Sequence, residues 1–474
     1  MKDKLLKKLE GWRKLISPEE GGVSIARRLW IIAKTLLTYI NNMSVSTKMN
    51  GLMGCFTIAF VFLFVCLVFV NNNNKEAMSE RMEYIAEQKR LSGFTVVDCN
   101  DKPIFKNGYS ENVIRRQAIY HIVGDDIRGK GENGTTYNVP NSLIVGKRDA
   151  FEQYCKRDRN TGWYFPESKV ELTIDIDLQE VAYTMMTDKG YNGSVVVIDY
   201  STGEIKAMVS TPSVDPKNIQ VYNDDRFLNK ATSTYDPGSV FKVVTVAAVV
   251  DKYKDAKYFV FNCDDGKSKD VSCYGKEAHG KQELNNLLLF SCNCGIAACG
   301  EEYLKDPEEL DAMAEKLGLL DEDIIVDMKS TAGQINAAQN FRWTANGQGQ
   351  TLVSPVAMCN VYAIIANDGV KKPVYIEKAT KKREDFPKDE KVMKQETTEF
   401  IRSSLEGKME GAVYEGFGKT GTAENAGKDH SWFICGITEE NAPTYAVCTF
   451  IRNGGSSKYA RDFTLEFLAE IKNS

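Results

Sequence analysis

The chain is expected to fold as an α+β protein, an antiparallel sheet flanked by helices, behind a single transmembrane helix and a small pedestal domain. Three observations lead there. Residues 52–70 form an uncharged run dense in Phe, Val and Leu. Strand-like segments occur at 194–199 and 204–210, and again far downstream at 431–437 and 444–452. Between them lie apolar stretches of helical character at 239–250, 283–290 and 352–367. Strands at both ends with helices between them imply a sheet assembled from distant pieces of chain.

At 474 residues, with 43% hydrophobic and 26% charged side chains, the composition is that of a folded protein of two to four domains. Residues 1–50 hold ten Lys or Arg against four acids, a net +6, so the remainder carries −11 of the total −5. That balance argues against nucleic-acid binding by the larger part. As a helix, 52–70 is long enough for the ~30 Å hydrocarbon core. The basic residues before it place the N-terminus in the cytoplasm and all that follows outside, a single-pass cell-membrane protein. A cleaved signal peptide would want a shorter apolar core and a small-x-small site, and none precedes Asn71. A buried core helix is the plain alternative, although a helix apolar all round is unusual in a soluble domain. The organisation read from this is a basic cytoplasmic segment at 1–50, the anchor at 51–71, a stalk and pedestal at 72–166, and the main domain at 167–474. A weaker apolar stretch at 27–40, interrupted by Lys34, suits either an amphipathic helix on the inner membrane face or an ordinary cytoplasmic helix.

Past the anchor, 76–90 has helical composition and mixed charge. Residues 91–165 mix short strand-like runs with Gly-rich polar loops. At 172–175 a strand begins the main domain, and Asp177 is expected to cap a helix starting near Leu178. Tyr200-Ser201-Thr202-Gly203 is the turn of a β-hairpin. The segment 239–250 follows Asp236-Pro237-Gly238 and reads as a buried helix with Ser239 in its first turn. Residues 462–471 form the closing helix.

Twelve cysteines are many. An external location permits disulfides, and Cys263 and Cys273, flanking a polar loop, are the best candidate pair, although connectivity is not readable from sequence. Cys292, Cys294 and Cys299 lie close together but fit no strong zinc spacing, so no metal and no cofactor is expected.

A serine hydroxyl is a poor nucleophile without an adjacent base. Ser239 and Lys242, three apart, share a helix face. Val240, Phe241, Val243 and Val244 would bury Lys242, and burial lowers an ammonium pKa. A Ser-capped helix with a solvated Lys fits the same four residues. Lys419-Thr420-Gly421-Thr422 suits a strand edge: Gly421 leaves room for a substrate backbone, and Lys419, Thr420 and Thr422 can hold a carboxylate. The N–H groups of Ser239 and Thr422 would form an oxyanion hole. A Gly-containing turn in a basic loop is the bland reading. Ser291-Cys292-Asn293 offers a proton relay in Ser291 and an amide ligand in Asn293. Ser110-Glu111-Asn112 has the same pattern, so the tripeptide alone decides nothing. Of the three histidines, His430 is expected to shape the site rather than carry a proton.

The ordered set Ser-x-x-Lys, Ser-x-Asn, Lys-Thr-Gly resembles that of penicillin-binding proteins and serine β-lactamases. Leu172-Thr173-Ile174-Asp175, 200–212, 235–242, His279-Gly280, Gly347-Gln348-Gly349, 418–424 and 430–433 look like class B penicillin-binding protein transpeptidases, in the shorter style with a reduced membrane-proximal domain. The resemblance covers about 170–472. It implies a peptidoglycan D,D-transpeptidase in which Ser239 attacks the penultimate D-Ala of a stem peptide. Lys242 is then the base, Ser291 the relay, Asn293 the ligand of the donor amide, and Lys419, Thr420 and Thr422 the carboxylate site. β-Lactams would acylate Ser239. Asp236, Val240, Asn346 and Ser354-Pro355 depart from the commoner pattern without removing a catalytic group. No glycosyltransferase signature is present, so the resemblance implies an integral-membrane glycosyltransferase partner. The competing readings are a membrane-anchored β-lactamase-like hydrolase, a β-lactam sensor, for which 1–50 is short, and a catalytically weak scaffold of wall synthesis.

Overall fold

The computed structural model describes residues 94–106, 109–124, 168–219, 225–425 and 427–473, together with a discontinuous set between 30 and 66. The chain divides into two compact units, Met1–Leu91 and Ser92–Ser474. In the first, residues 56–66 are helical, and Phe56, Phe60, Phe62 and Phe64 are exposed. No helix among the described residues is long and apolar enough to cross a membrane. Residues 51, 52, 55 and 67–71 of the expected anchor, all of the expected stalk at 76–90, and 107–108 and 125–167 of the pedestal lie outside them.

In the second unit, strand β1 (Phe94–Val97) pairs antiparallel with β2 (Pro103–Lys106) and parallel with β3 (Ser168–Glu171). Helix α1 (Val113–Val123) follows β2 and packs on α2 (Ile176–Asp188). The cap of α2 is Asp175, not Asp177. Asp175 is extended, and its Oδ1 accepts from the Asp177 and Leu178 N–H groups. Asp177 lies inside the first turn, where a negative charge suits the helix dipole.

The hairpin β4 (Gly193–Asp199) and β5 (Glu204–Thr211) supplies one side of the central sheet. A 3₁₀ turn, Gly238–Phe241, leads into α3 (Lys242–Lys252). Small ribbons β6 (Val260–Cys263) with β9 (Gly280–Glu283), and β7 (Lys267–Ser268) with β8 (Val271–Ser272), precede α4 (Leu284–Leu289) and α5 (Asn293–Tyr303). Then come α6 (Glu308–Lys316), α7 (Ala337–Thr344) and α8 (Pro355–Ala366), the last capped by Ser354, whose side chain accepts from the Ala357 N–H. The ribbon β10 (Val370–Lys371) with β11 (Glu390–Lys391) and helix α9 (Gln395–Leu405) lead to the C-terminal strands. These are β12 (Gly416–Ala423), β13 (His430–Ile437) and β14 (Tyr445–Ile451), closed by α10 (Ser457–Asn473).

The central sheet runs β12-β13-β14-β4-β5, antiparallel throughout, so the expected joining of distant strands occurs where β14 meets β4. Both faces are buried. Val196, Ile198, Met208, Trp432, Ile434, Cys448 and Phe450 join the core containing α3 and α8. Their neighbours Val195, Val197, Val209, Phe433, Cys435 and Val447 join a second core with α2 and α10. A strand's period of two sends alternate residues to opposite faces, and here each face meets helices. That is why these strands read as nearly continuous apolar runs. Every residue of α3 from Lys242 to Val250 is buried. Each large apolar side chain there stabilises by roughly 1.5–3 kcal/mol on burial, which offsets the cost of taking the Lys242 amine out of water.

Candidate active site

Ser239 lies in the 3₁₀ turn rather than in the α-helix expected from sequence. A 3₁₀ helix has three residues per turn, so side chains at i and i+3 eclipse, and the Lys242 amine comes to 2.8 Å from Ser239 Oγ. The turn is held at several points. Gly238 has φ +55°, and a Cβ there would lie 2.8 Å from the Thr422 carbonyl oxygen. The Gly238 N–H donates to the Gly347 carbonyl at 2.9 Å. The buried Trp432 indole donates to the Asp236 carbonyl at 3.0 Å, and the Tyr362 hydroxyl to the Val240 carbonyl at 3.2 Å.

Ser291 sits at the corner between α4 and α5 with φ +62°, a left-handed conformation that costs a β-carbon-bearing residue energy unless its surroundings hold it. That conformation points its hydroxyl between two lysines. Ser291 Oγ is 2.9 Å from Lys242 Nζ and 2.9 Å from Lys419 Nζ. Lys242 also reaches the Ser291 carbonyl, at 2.8 Å, and Asn293 Oδ1. Asn293 opens α5, its amide donating to the Ser272 carbonyl at 2.7 Å, and its own carbonyl accepts from Asn346 at 3.2 Å. Ser239, Lys242, Ser291, Asn293 and Lys419 thus form one connected cluster.

Both amines are fully buried. Burial pushes the Lys242 amine down to about 7, against an upward pull from negative charge on the nearby Cys292, Cys273 and Cys294 sulfurs. Burial, followed by the proximity of Lys242 and Lys408, holds Lys419 well below the usual ammonium range. Around Lys242 stand four oxygen acceptors, Ser239 Oγ, Ser291 Oγ, the Ser291 carbonyl and Asn293 Oδ1, one more than an ammonium can satisfy. A neutral Lys242 has one lone pair and two N–H groups, so it can accept the Ser239 proton while donating to two of the other three oxygens.

Lys419, Thr420, Gly421 and Thr422 lie on β12, the edge strand of the sheet. Such an edge leaves backbone groups free to pair with an extended ligand. The structure gives Gly421 a further reason to be glycine. A Cβ there would lie 2.9 Å from Val240 Cγ1 and 3.0 Å from the Pro237 carbonyl oxygen. Its lack of a side chain seats the strand against the Ser239 turn. Thr420 and Thr422 are half-buried, and the Thr422 hydroxyl accepts from the Ser457 N–H at 3.4 Å, at the start of α10.

In the rival tripeptide Ser110-Glu111-Asn112, Asn112 caps α1 by accepting from the Arg115 N–H, and Glu111 accepts from Lys217 at 2.6 Å. His430 is buried edge-on to Tyr235 and Phe450, with Nδ1 accepting from the Asn453 N–H at 3.1 Å. Burial and Arg452 press its pKa down to about 4, so it is neutral packing beside the site. Cys263 and Cys273 come together as free thiols with Sγ atoms 3.9 Å apart, not as the disulfide considered from sequence. Sequence reasoning missed Asn346, Trp432 and Tyr362 as supports of the site. Each donates to a backbone carbonyl far away in the chain, an interaction without a local signature.

The family model of the penicillin-binding protein transpeptidase domain matches residues 193–471. A peptidoglycan D,D-transpeptidase, PbpA, of Mycolicibacterium smegmatis is 28% identical over 367 residues, covering 67% of this chain and 72% of that protein. The penicillin G acyl-enzyme complex of penicillin-binding protein A from M. tuberculosis superposes with a TM-score of 0.65 at 19% identity, covering 81% of this chain and 100% of that one. A structure on the coordination of polymerization and crosslinking by a peptidoglycan synthase complex matches with a TM-score of 0.56 at 22% identity, covering 65% of this chain and 63% of that one.

Proposed function

The chain belongs to the penicillin-binding protein transpeptidase family, and from that premise we infer that it is a class B D,D-transpeptidase that cross-links peptidoglycan. The observation that carries the assignment of the nucleophile is the 2.8 Å approach of Lys242 Nζ to Ser239 Oγ. Lys242 takes the Ser239 proton as Oγ bonds to the carbonyl carbon of the penultimate D-Ala. The N–H groups of Ser239 and Thr422 stabilise the developing oxyanion. The C–N bond then breaks, and the proton passes from Lys242 through Ser291 to the departing D-Ala amine. In the second half an amine from a neighbouring strand attacks the ester, its proton returns along the same path, and Ser239 is regenerated. Asn293 orients the donor amide. Lys419, with Thr420 and Thr422, receives the terminal carboxylate, whose arrival favours a charged Lys419.

The full-length chain should form a long-lived adduct with a labelled penicillin on Ser239, lost in Ser239→Ala. Rapid turnover would favour a β-lactamase-like hydrolase. An unlabelled wild type would remove the nucleophile assignment and favour the scaffold reading.

The catalytic unit acts outside the cytoplasm, tethered through 52–70. The supports are the positive charge of 1–50, the uncharged apolar run, and the exposed phenylalanines of the described helical residues. Protease added outside intact cells should degrade the C-terminal part, and protection would overturn this orientation. Strand polymerisation falls to a separate integral-membrane glycosyltransferase. The absence of a polymerase motif and the fold likeness to a component of a peptidoglycan synthase complex support that partnership.

A further inference from the structure

Behind the Ser291–Asn293 corner, four side chains converge that the acyl-transfer chemistry does not use. The ligand atoms of Cys263, Cys273, His279 and Cys292 all lie within 4.8 Å of one another. They come from separate pieces of chain. Cys263 ends β6, and the His279 N–H donates to its carbonyl at 3.0 Å, so the β6–β9 ladder sets the two side by side. Cys273 follows the β7–β8 hairpin, its N–H donating to the Gly266 carbonyl at 2.8 Å. Cys292 is the N-cap of α5, with Sγ accepting from the Gly295 N–H at 3.3 Å.

We propose that Cys263, Cys273, Cys292 and His279 bind one zinc-type divalent cation that braces the Ser291–Asn293 corner from behind. The spacing of the sulfurs is the first argument. A tetrahedral site with Zn–S bonds of about 2.3 Å has S···S edges of about 3.8 Å. Cys263 and Cys273 are 3.9 Å apart, and Cys273 and Cys292 are 3.7 Å apart. A disulfide would require about 2.05 Å. The second argument is independent of the first: His279 Nδ1 is buried and has no hydrogen-bond partner, which is costly for a polar atom unless something is there to satisfy it. Three thiolates and an imidazole are a donor set that selects zinc over hard cations such as magnesium or calcium. Binding would release the three thiol protons. Cys294 stays outside the set. Its sulfur is 3.7 Å from that of Cys273, but its thiol points to the Val271 carbonyl.

The consequence for the site is mechanical. Cys292 stands between Ser291 and Asn293, and Asn293 also holds the carbonyl of Ser272, next to Cys273. The metal would clamp both flanks of that contact, making its ligands positioning residues.

The test is metal content of the full-length chain, purified without chelator, by elemental mass spectrometry. One equivalent of zinc per chain is expected, replaceable by cobalt with the sulfur-to-metal charge-transfer and strong ligand-field absorption of a tetrahedral thiolate site. Cys273→Ser and His279→Ala should lose the metal, with folding checked by circular dichroism, whereas Cys294→Ser should keep it. A wild-type chain without metal, its thiols either free or paired in disulfides, would overturn the proposal, as would retention of a full equivalent by both ligand variants. Penicillin labelling of Ser239 is read separately, so failure of the metal site leaves the transpeptidase assignment standing.

Discussion

Lys242 concentrates the chemistry at the scale of single residues. In the proposed mechanism its amine must be neutral to accept a proton, and burial lowers its pKa to about 7. The rate of acylation by a penicillin should therefore rise with pH, about tenfold per unit below that value, and level off above it as the neutral form saturates. A rate flat from pH 5 to 9, measured by stopped-flow labelling, would mean that Lys242 is not the base. The pairing of Ser239 with Lys242 was legible in sequence because a three-residue spacing is a local matter. Their quality of alignment was not, since it comes from the 3₁₀ geometry of the turn. The reason for glycine at 421 was also hidden, because its close neighbours, Pro237 and Val240, lie far upstream.

Among elements, the contact between β12 and the Ser239 turn matters most. In Gly421→Ala the added Cβ meets the Pro237 carbonyl and Val240, so the strand must move away from the turn or the turn must distort. The expected cost is about 1–3 kcal/mol of stability, together with slower acylation because Lys419 shifts with its strand. Thermal melting and labelling kinetics on the same variant check both, and an unchanged melting temperature would show that the strand has room. At this scale the hairpin β4–β5, the C-terminal strands and the helix after Ser239 were all readable from periodicity and turn residues. The start of α2 was misplaced by two residues, since Asp175 and Asp177 are both good caps and backbone conformation chooses between them.

Over the whole molecule, α1 is tied to the loop after β5 by a partly buried ion pair. Arg116 Nε and Nη2 donate to the two carboxylate oxygens of Asp215 at 2.7 and 2.6 Å, and Nη1 donates to the Ser110 and Glu111 carbonyls. Removing one partner leaves the other partly desolvated and unpaired, so Arg116→Ala should destabilise by about 1–3 kcal/mol. Arg116 holds the Asp215 carboxyl below its ordinary range. A carboxylate with a depressed folded-state pKa contributes stability that is present above the unfolded value and lost as pH falls through the folded one. Denaturant melts of the wild type should therefore weaken below about pH 4, and Arg116→Ala should flatten that acid limb. An acid limb unchanged in the variant would assign the loss to other carboxylates.

The α+β class, the order of the motifs and the Ser239–Lys242 pair were readable along the chain, because helix periodicity, strand alternation and short-range spacing act between near neighbours. Folding in three dimensions brings the hydroxyl of Ser291, 49 residues from Lys242 and 128 from Lys419, between both amines. It also brings three cysteines and a histidine together behind that corner. Those contacts depend on sheet order and on a left-handed residue between two helices, and the energy that selects them comes from burying both faces of one sheet at once.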